Sequence, residues 1–101
     1  MTQDVSPRHQ AIDQACIAGS DVRAMGNGYG QFHWEHEKGW TFVQSTPLGE
    51  IRMSHLAFKG VDRFYNVGEV VNACGSTGAY STGPHVHIEA PASIFKQVYG
   101  M

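Results

Sequence analysis

Residues 83–89 read Gly83-Pro84-His85-Val86-His87-Ile88-Glu89, and their alternation sets the fold class. Polar and apolar residues swap at every step from His85 onward, the period of a half-buried strand, and a leading proline suits the first position of such a strand. Side chains two apart on a strand share a face. His85, His87 and Glu89 therefore point one way while Val86 and Ile88 point to a core. At roughly 3.3 Å of rise per residue the two histidine Cα atoms lie about 6.6 Å apart, so one imidazole can bind an ion while the other reaches a water on that ion. Glu89 either orients a ligand from behind or is a solvated carboxylate at a strand end.

Outward from this stretch the chain continues as short apolar runs between turn signals. Trp40-Thr41-Phe42-Val43, Glu50-Ile51-Arg52-Met53 and Val67 with Val70-Val71 read as further strands. Thr46-Pro47-Leu48-Gly49 is a reversal, so residues 40–55 read as a hairpin, and Asp62 to Asn66 as another connection. Twelve glycines leave no room for long helices, and Gly26, Gly28 and Gly30 interrupt the chain three times in five residues. Helix is expected only in the first dozen residues and in Ala92 to Tyr99. The pattern predicts an all-β fold, a compact and mostly antiparallel sandwich or barrel-like hybrid. Phe42, Phe58 and Phe64 are assigned to its core.

The 101 residues suffice for one domain over 1–101 with a modest core. Seven Lys and Arg against nine Asp and Glu give a formal charge of −2 with no basic run, which excludes an electrostatic nucleic-acid footprint. No stretch reaches the roughly 20 apolar residues of a membrane span, and Met1-Thr2-Gln3-Asp4 does not open a signal peptide, so a soluble chain is expected. Cys16 and Cys74 form one disulfide or remain two small buried thiols. Neither has the spacing of a zinc ligand.

Three further pieces carry histidine. His9-Gln10-Ala11-Ile12-Asp13 places an imidazole near a carboxylate. On an extended strand the two would be about 13 Å apart, too far for one ion, so a bend between them is expected if they share a ligand. Otherwise Asp13 caps a turn and His9 lies on the surface. His55, in Met53-Ser54-His55-Leu56, is either a packed residue or a catalyst. His33-Trp34-Glu35-His36 has a metal-compatible spacing in what reads as an exposed loop, and Tyr29 through Trp40 reads as a substrate-facing loop. Tyr29, Phe32, Trp34 and Trp40 suit the wall of a groove as well as a core.

Taken in order, His9 to Asp13, Ser54-His55-Leu56, Gly75-Ser76-Thr77-Gly78 and Ser81 through Glu89 form a series that closely resembles the lysostaphin/LytM-type zinc metallopeptidases, over roughly residues 9–90. The resemblance implies one Zn2+ ion held by His9, Asp13 and His87. It also implies His55 and His85 as catalytic histidines beside the metal, in a β-sheet domain with a narrow groove over the site.

The activity so implied is zinc-dependent endopeptidase cleavage of bacterial cell-wall peptidoglycan. The expected partners are peptidoglycan peptides, with no nucleic acid and no membrane span, and the chain is expected to be a monomer. Such a substrate places the protein in the cell wall or periplasm, whether secreted, exported or virion-associated. The alternatives are an inactive cell-wall-binding or regulatory relative, or a virion or structural module of the same fold. All five positions carry the required residue type, which favours activity. Three ligands rather than four favour a catalytic over a structural zinc.

Overall fold

The structure, a computed structural model, describes residues 10–78 and 83–99. In chain order these form β1 (Gln10–Ala15), β2 (Asp21–Arg23), β3 (Gly28–Glu35), β4 (Gly39–Thr46), β5 (Gly49–Leu56), β6 (Arg63–Tyr65), β7 (Val70–Ala73), β8 (His85–Ala90) and α1 (Ala92–Tyr99). Six strands make one antiparallel sheet in the order β1-β8-β5-β4-β3-β6, and β2 pairs with β7 in a second, two-stranded sheet. The fold is all-β, as expected. The large sheet stays open, with β1 and β6 at its edges.

Strand register sorts the residues onto two faces. Ile12 pairs with Ile88, Ile88 with Met53, Met53 with Phe42 and Phe42 with Phe32, an apolar row across five strands. Ile88, Met53, Phe42 and Phe32 are buried, and the same cluster takes in Val22 and Val71 of the small sheet and Ile94 and Phe95 of α1. One residue along, Asp13 pairs with His87 and His87 with Ser54, a polar row on the opposite face. A period of two thus places the core on one side of the sheet and the chemistry on the other.

The hairpin over 40–55 is present, and Thr46 faces Gly49 across its turn. Gly49 has φ +130, and a Cβ there would meet Pro91 Cγ at 2.6 Å, so both backbone and space call for glycine. The expected helix over Ala92 to Tyr99 forms, with Pro91 carbonyl oxygen accepting from the Ile94 N–H at 3.0 Å.

Four expectations are corrected. Residues 10–12 are strand rather than helix, because β1 completes its hydrogen bonds on β8. Residues 28–35 are a long strand rather than a loop. A Cβ on Gly30 would lie 2.2 Å from the Phe42 ring, so this glycine serves close approach inside a strand and not a turn. Residues 63–65 likewise pair with β3 as a short strand. Phe58 and Phe64 are half exposed, whereas Phe32 and Phe95 fill the core.

Cys16 and Cys74 are joined in a disulfide, with Cα atoms 6.2 Å apart and 58 residues of separation. Cys16 directly follows β1, and Cys74 makes a bridge to Leu56 at the end of β5. The link therefore ties the edge strand carrying Asp13 to the segment beside His55.

Candidate metal centre

The sheet brings four of the five expected residues together as two pairs, Asp13 with His87 and His55 with His85. Asp13 on β1 and His87 on β8 are directly paired, and Asp13 Oδ1 lies 2.7 Å from His87 Nδ1. The His55 and His85 rings have centroids 4.6 Å apart. His85 and His87 share a face and alternate with buried Val86 and Ile88, as their spacing predicts. His9 lies outside the described residues. Residues 10–13 are extended, so the bend expected between His9 and Asp13 is not found there.

His55 is placed by an irregularity in the sheet. The β4 to β5 register shifts between Trp40 and Phe42, and His55 at that point has φ +64, the left-handed region that few side chains other than glycine adopt. Its N–H donates to Lys38 carbonyl oxygen at 2.7 Å. Its ring Nδ1 donates to Thr77 carbonyl oxygen at 2.7 Å. Thr77 Oγ1 in turn accepts from the Trp40 N–H at 3.1 Å and donates to Leu56 carbonyl oxygen at 2.6 Å, which straps the loop to both strands. The loop packs so tightly that a Cβ on Gly39 would meet Thr77 Oγ1 at 2.3 Å, and Gly39 has φ +69.

These contacts fix the tautomers. A carbonyl oxygen only accepts, so His55 Nδ1 carries hydrogen towards Thr77, and His85 Nδ1 does the same towards Gly83 carbonyl oxygen at 2.7 Å. In the neutral ring each Nε2 is then a bare lone pair. Burial, the largest influence, lowers the His55 pKa below its usual value. The bond to Thr77 and the charge of Asp13 oppose this, and the charges of His85 and His87 add to it. His55 is thereby kept a neutral acceptor.

His87 differs, because both of its nitrogens face carboxylates. Nε2 lies 3.0 Å from Glu89 Oε2, and Nδ1 faces Asp13. Burial is the largest influence on Glu89 and raises its pKa, but the bonds and charges of Lys38 and His87 outweigh it and leave the carboxyl below the usual range. Glu89 is therefore ionised and accepts, so Nε2 bears the proton. Nδ1 then either bears a second proton towards Asp13 or offers that proton's place to a cation. Imidazole nitrogen and carboxylate oxygen suit zinc, and the two thiols, being joined, are unavailable as donors. Asp13 and His87 fit as two of the three implied ligands. Among the described residues no group of three His, Cys, Asp or Glu side chains is assembled for a metal.

Other expected residues fall elsewhere. His33 and Glu35 pair with each other on β3, three strands from β8 and so about 14 Å from His87 in the sheet direction. By register Phe32, Trp34 and Trp40 lie on the core-side face and do not wall the site. Lys38, Thr41, Ser54 and Thr77 support the site without having been singled out. Ser54 sits beside His87 and is buried with Thr41. For Thr77 the glycine-flanked motif was the available signal; a lone lysine gave none.

No protein-family model matches the chain, and no curated protein sequence does. Solved structures do. The catalytic domain of the antimicrobial peptidase lysostaphin from Staphylococcus simulans superposes with TM-score 0.67 at 24% identity over 78% of this chain and 64% of that one. The longer lysostaphin chain gives TM-score 0.67 at 25% identity over 77% and 35%. A protein from Pseudomonas aeruginosa assigned as an M23 peptidase gives 0.68 at 23% over 78% and 36%. The chain has the lysostaphin/LytM-type fold, and it spans between about a third and two thirds of the length of these neighbours.

Proposed function

We propose that the protein is a zinc-dependent endopeptidase that hydrolyses peptide bonds of bacterial peptidoglycan. One observation carries this reading: on one sheet face the Asp13 and His87 donor pair stands together with two histidines, His55 and His85, whose Nδ1 atoms are tied to backbone carbonyls. The likeness in fold to the antimicrobial peptidase lysostaphin supports it.

Asp13 and His87 would hold the metal, with His9 as the third ligand only on the strength of the sequence resemblance. Bound zinc acidifies water and polarises a carbonyl. The chain's own residues manage the protons. His55, neutral because it is buried, accepts the proton of the attacking water at Nε2 and delivers it to the leaving amine. His85, whose Nδ1 donates to Gly83 carbonyl oxygen, presents its Nε2 lone pair on the same side as a second acceptor that orients the attacking water. Thr77 keeps the His55 ring from turning, so the lone pair needs no reorganisation at the moment of reaction.

The Cys16–Cys74 disulfide supports a working place in an oxidising compartment, the cell wall or periplasm. Among the described residues no helix is long and apolar enough to cross a membrane. The decisive experiment incubates the chain with purified peptidoglycan, with added zinc or with a chelator, and identifies released fragments by mass spectrometry. Fragments with new peptide termini are expected with zinc and not with chelator. Intact peptidoglycan in the zinc arm contradicts the reading.

A further inference from the structure

We propose that Lys38 is a positioning residue for the metal centre, acting through Glu89 on the His87 ring while its own backbone holds His55. The inference rests on the reading of Asp13 and His87 as metal donors. Lys38 Nζ lies 2.9 Å from Glu89 Oε2, and that same oxygen lies 3.0 Å from His87 Nε2. One carboxylate oxygen thus receives two donors, and neither can move without disturbing the other.

Lys38 stands in the turn between β3 and β4, and its side chain reaches a residue on β8, with β4 and β5 between them in the sheet. The backbone of the same residue accepts the His55 N–H at 2.7 Å. One turn residue therefore grips the seat of the metal with its side chain and the acid-base histidine with its main chain. An isolated exposed lysine to carboxylate pair contributes little. Glu89 is instead largely covered, with a side chain 22% exposed, and His87 is 15% exposed. An acceptor fixed in this way sets which imidazole nitrogen keeps its hydrogen and which faces the metal, and such partners change metal affinity by about 10–100-fold.

The test compares zinc affinity, by competition with a chromogenic chelator, in the full chain and in Lys38→Met, Lys38→Arg, Glu89→Gln and the Lys38→Met/Glu89→Gln pair. Thermal unfolding shows that each is folded, and Lys38→Gln replaces Lys38→Met if that variant is not. Lys38→Met is expected to bind zinc about tenfold more weakly. Lys38→Arg, which keeps a cationic donor, is expected to restore most of the affinity. Lys38→Met is expected to add less than about twofold in the Glu89→Gln background, because the lysine acts through that carboxylate. Unchanged affinity in Lys38→Met, or an equal loss with and without Glu89, overturns the positioning role and leaves the metal reading intact. A wild-type chain that binds no zinc overturns both.

Discussion

Breaking the Cys16–Cys74 link by the double substitution Cys16→Ser/Cys74→Ser is expected to cost about 4 kcal/mol. The estimate follows from the 58-residue separation, since in the chain-entropy treatment a loop of that size removes about 14 cal/mol/K from the unfolded ensemble. Against a total of roughly 5–15 kcal/mol for a typical domain, this is a large share of the whole. At roughly 4–8 °C per kcal/mol for a domain of about this size, the melting temperature should fall by about 15–30 °C. The native backbone does not depend on the bridge alone, because Gly19 N–H still donates to Cys74 carbonyl oxygen and Cys74 N–H to Ser20 carbonyl oxygen. The folded site should therefore survive at low temperature, with zinc stoichiometry unchanged at about 10 °C. Urea unfolding followed by tryptophan fluorescence gives the free-energy difference directly. A loss under about 1 kcal/mol, or two titratable thiols in the native oxidised chain, would refute the reasoning.

The strap at Thr77 predicts that Thr77→Val destabilises by about 2 kcal/mol, since the Trp40 N–H and Leu56 carbonyl lose their partner, while Thr77→Ser stays within about 1 kcal/mol; urea unfolding checks both. Gly39→Ala should cost about 2 kcal/mol or more and depress hydrolysis, because the added Cβ strikes Thr77 in a backbone conformation that alanine resists. The lowered pKa of His55 predicts a pH effect on the metal-free chain. The folded state resists protonation, so the contribution is fully present above the unfolded value of about 6.5. It is lost as pH falls through the lowered folded value, with a slope of up to about 1.4 kcal/mol per pH unit. Unfolding free energies at stepwise pH should show this slope in wild type and lose it in His55→Asn.

How much was legible beforehand depended on whether local sequence or distant packing set each feature. Alternation from His85 to Glu89 placed two histidines and a carboxylate on one face because a strand's period is a local property. Thr46 to Gly49 announced a turn for the same reason. Gly28 and Gly30 misled, since the demand for glycine at position 30 comes from the Phe42 ring on the neighbouring strand, which no reading of residues 26–30 alone reveals. Phe64 misled because aromatic type says nothing about which side of a short strand meets the core, and Phe58 because it falls in the connection between β5 and β6. Lys38 was invisible, as its role exists only once β3 and β8 lie in one sheet with Glu89 in reach. His55 was found through its motif, but its aim depends on a register shift that only the paired strands define.

On the proposed function a single divalent ion would be held where Asp13 and His87 meet, with His55 and His85 beside it and not on it. The most direct measurement is zinc content by elemental analysis after dialysis against zinc, for wild type and for His9→Ala, Asp13→Ala, His87→Ala, His55→Ala and His85→Ala. One zinc per chain is expected in wild type, with loss in the first three variants and retention without hydrolysis in the last two. Zinc retained by His87→Ala, or lost equally from His85→Ala, would contradict it.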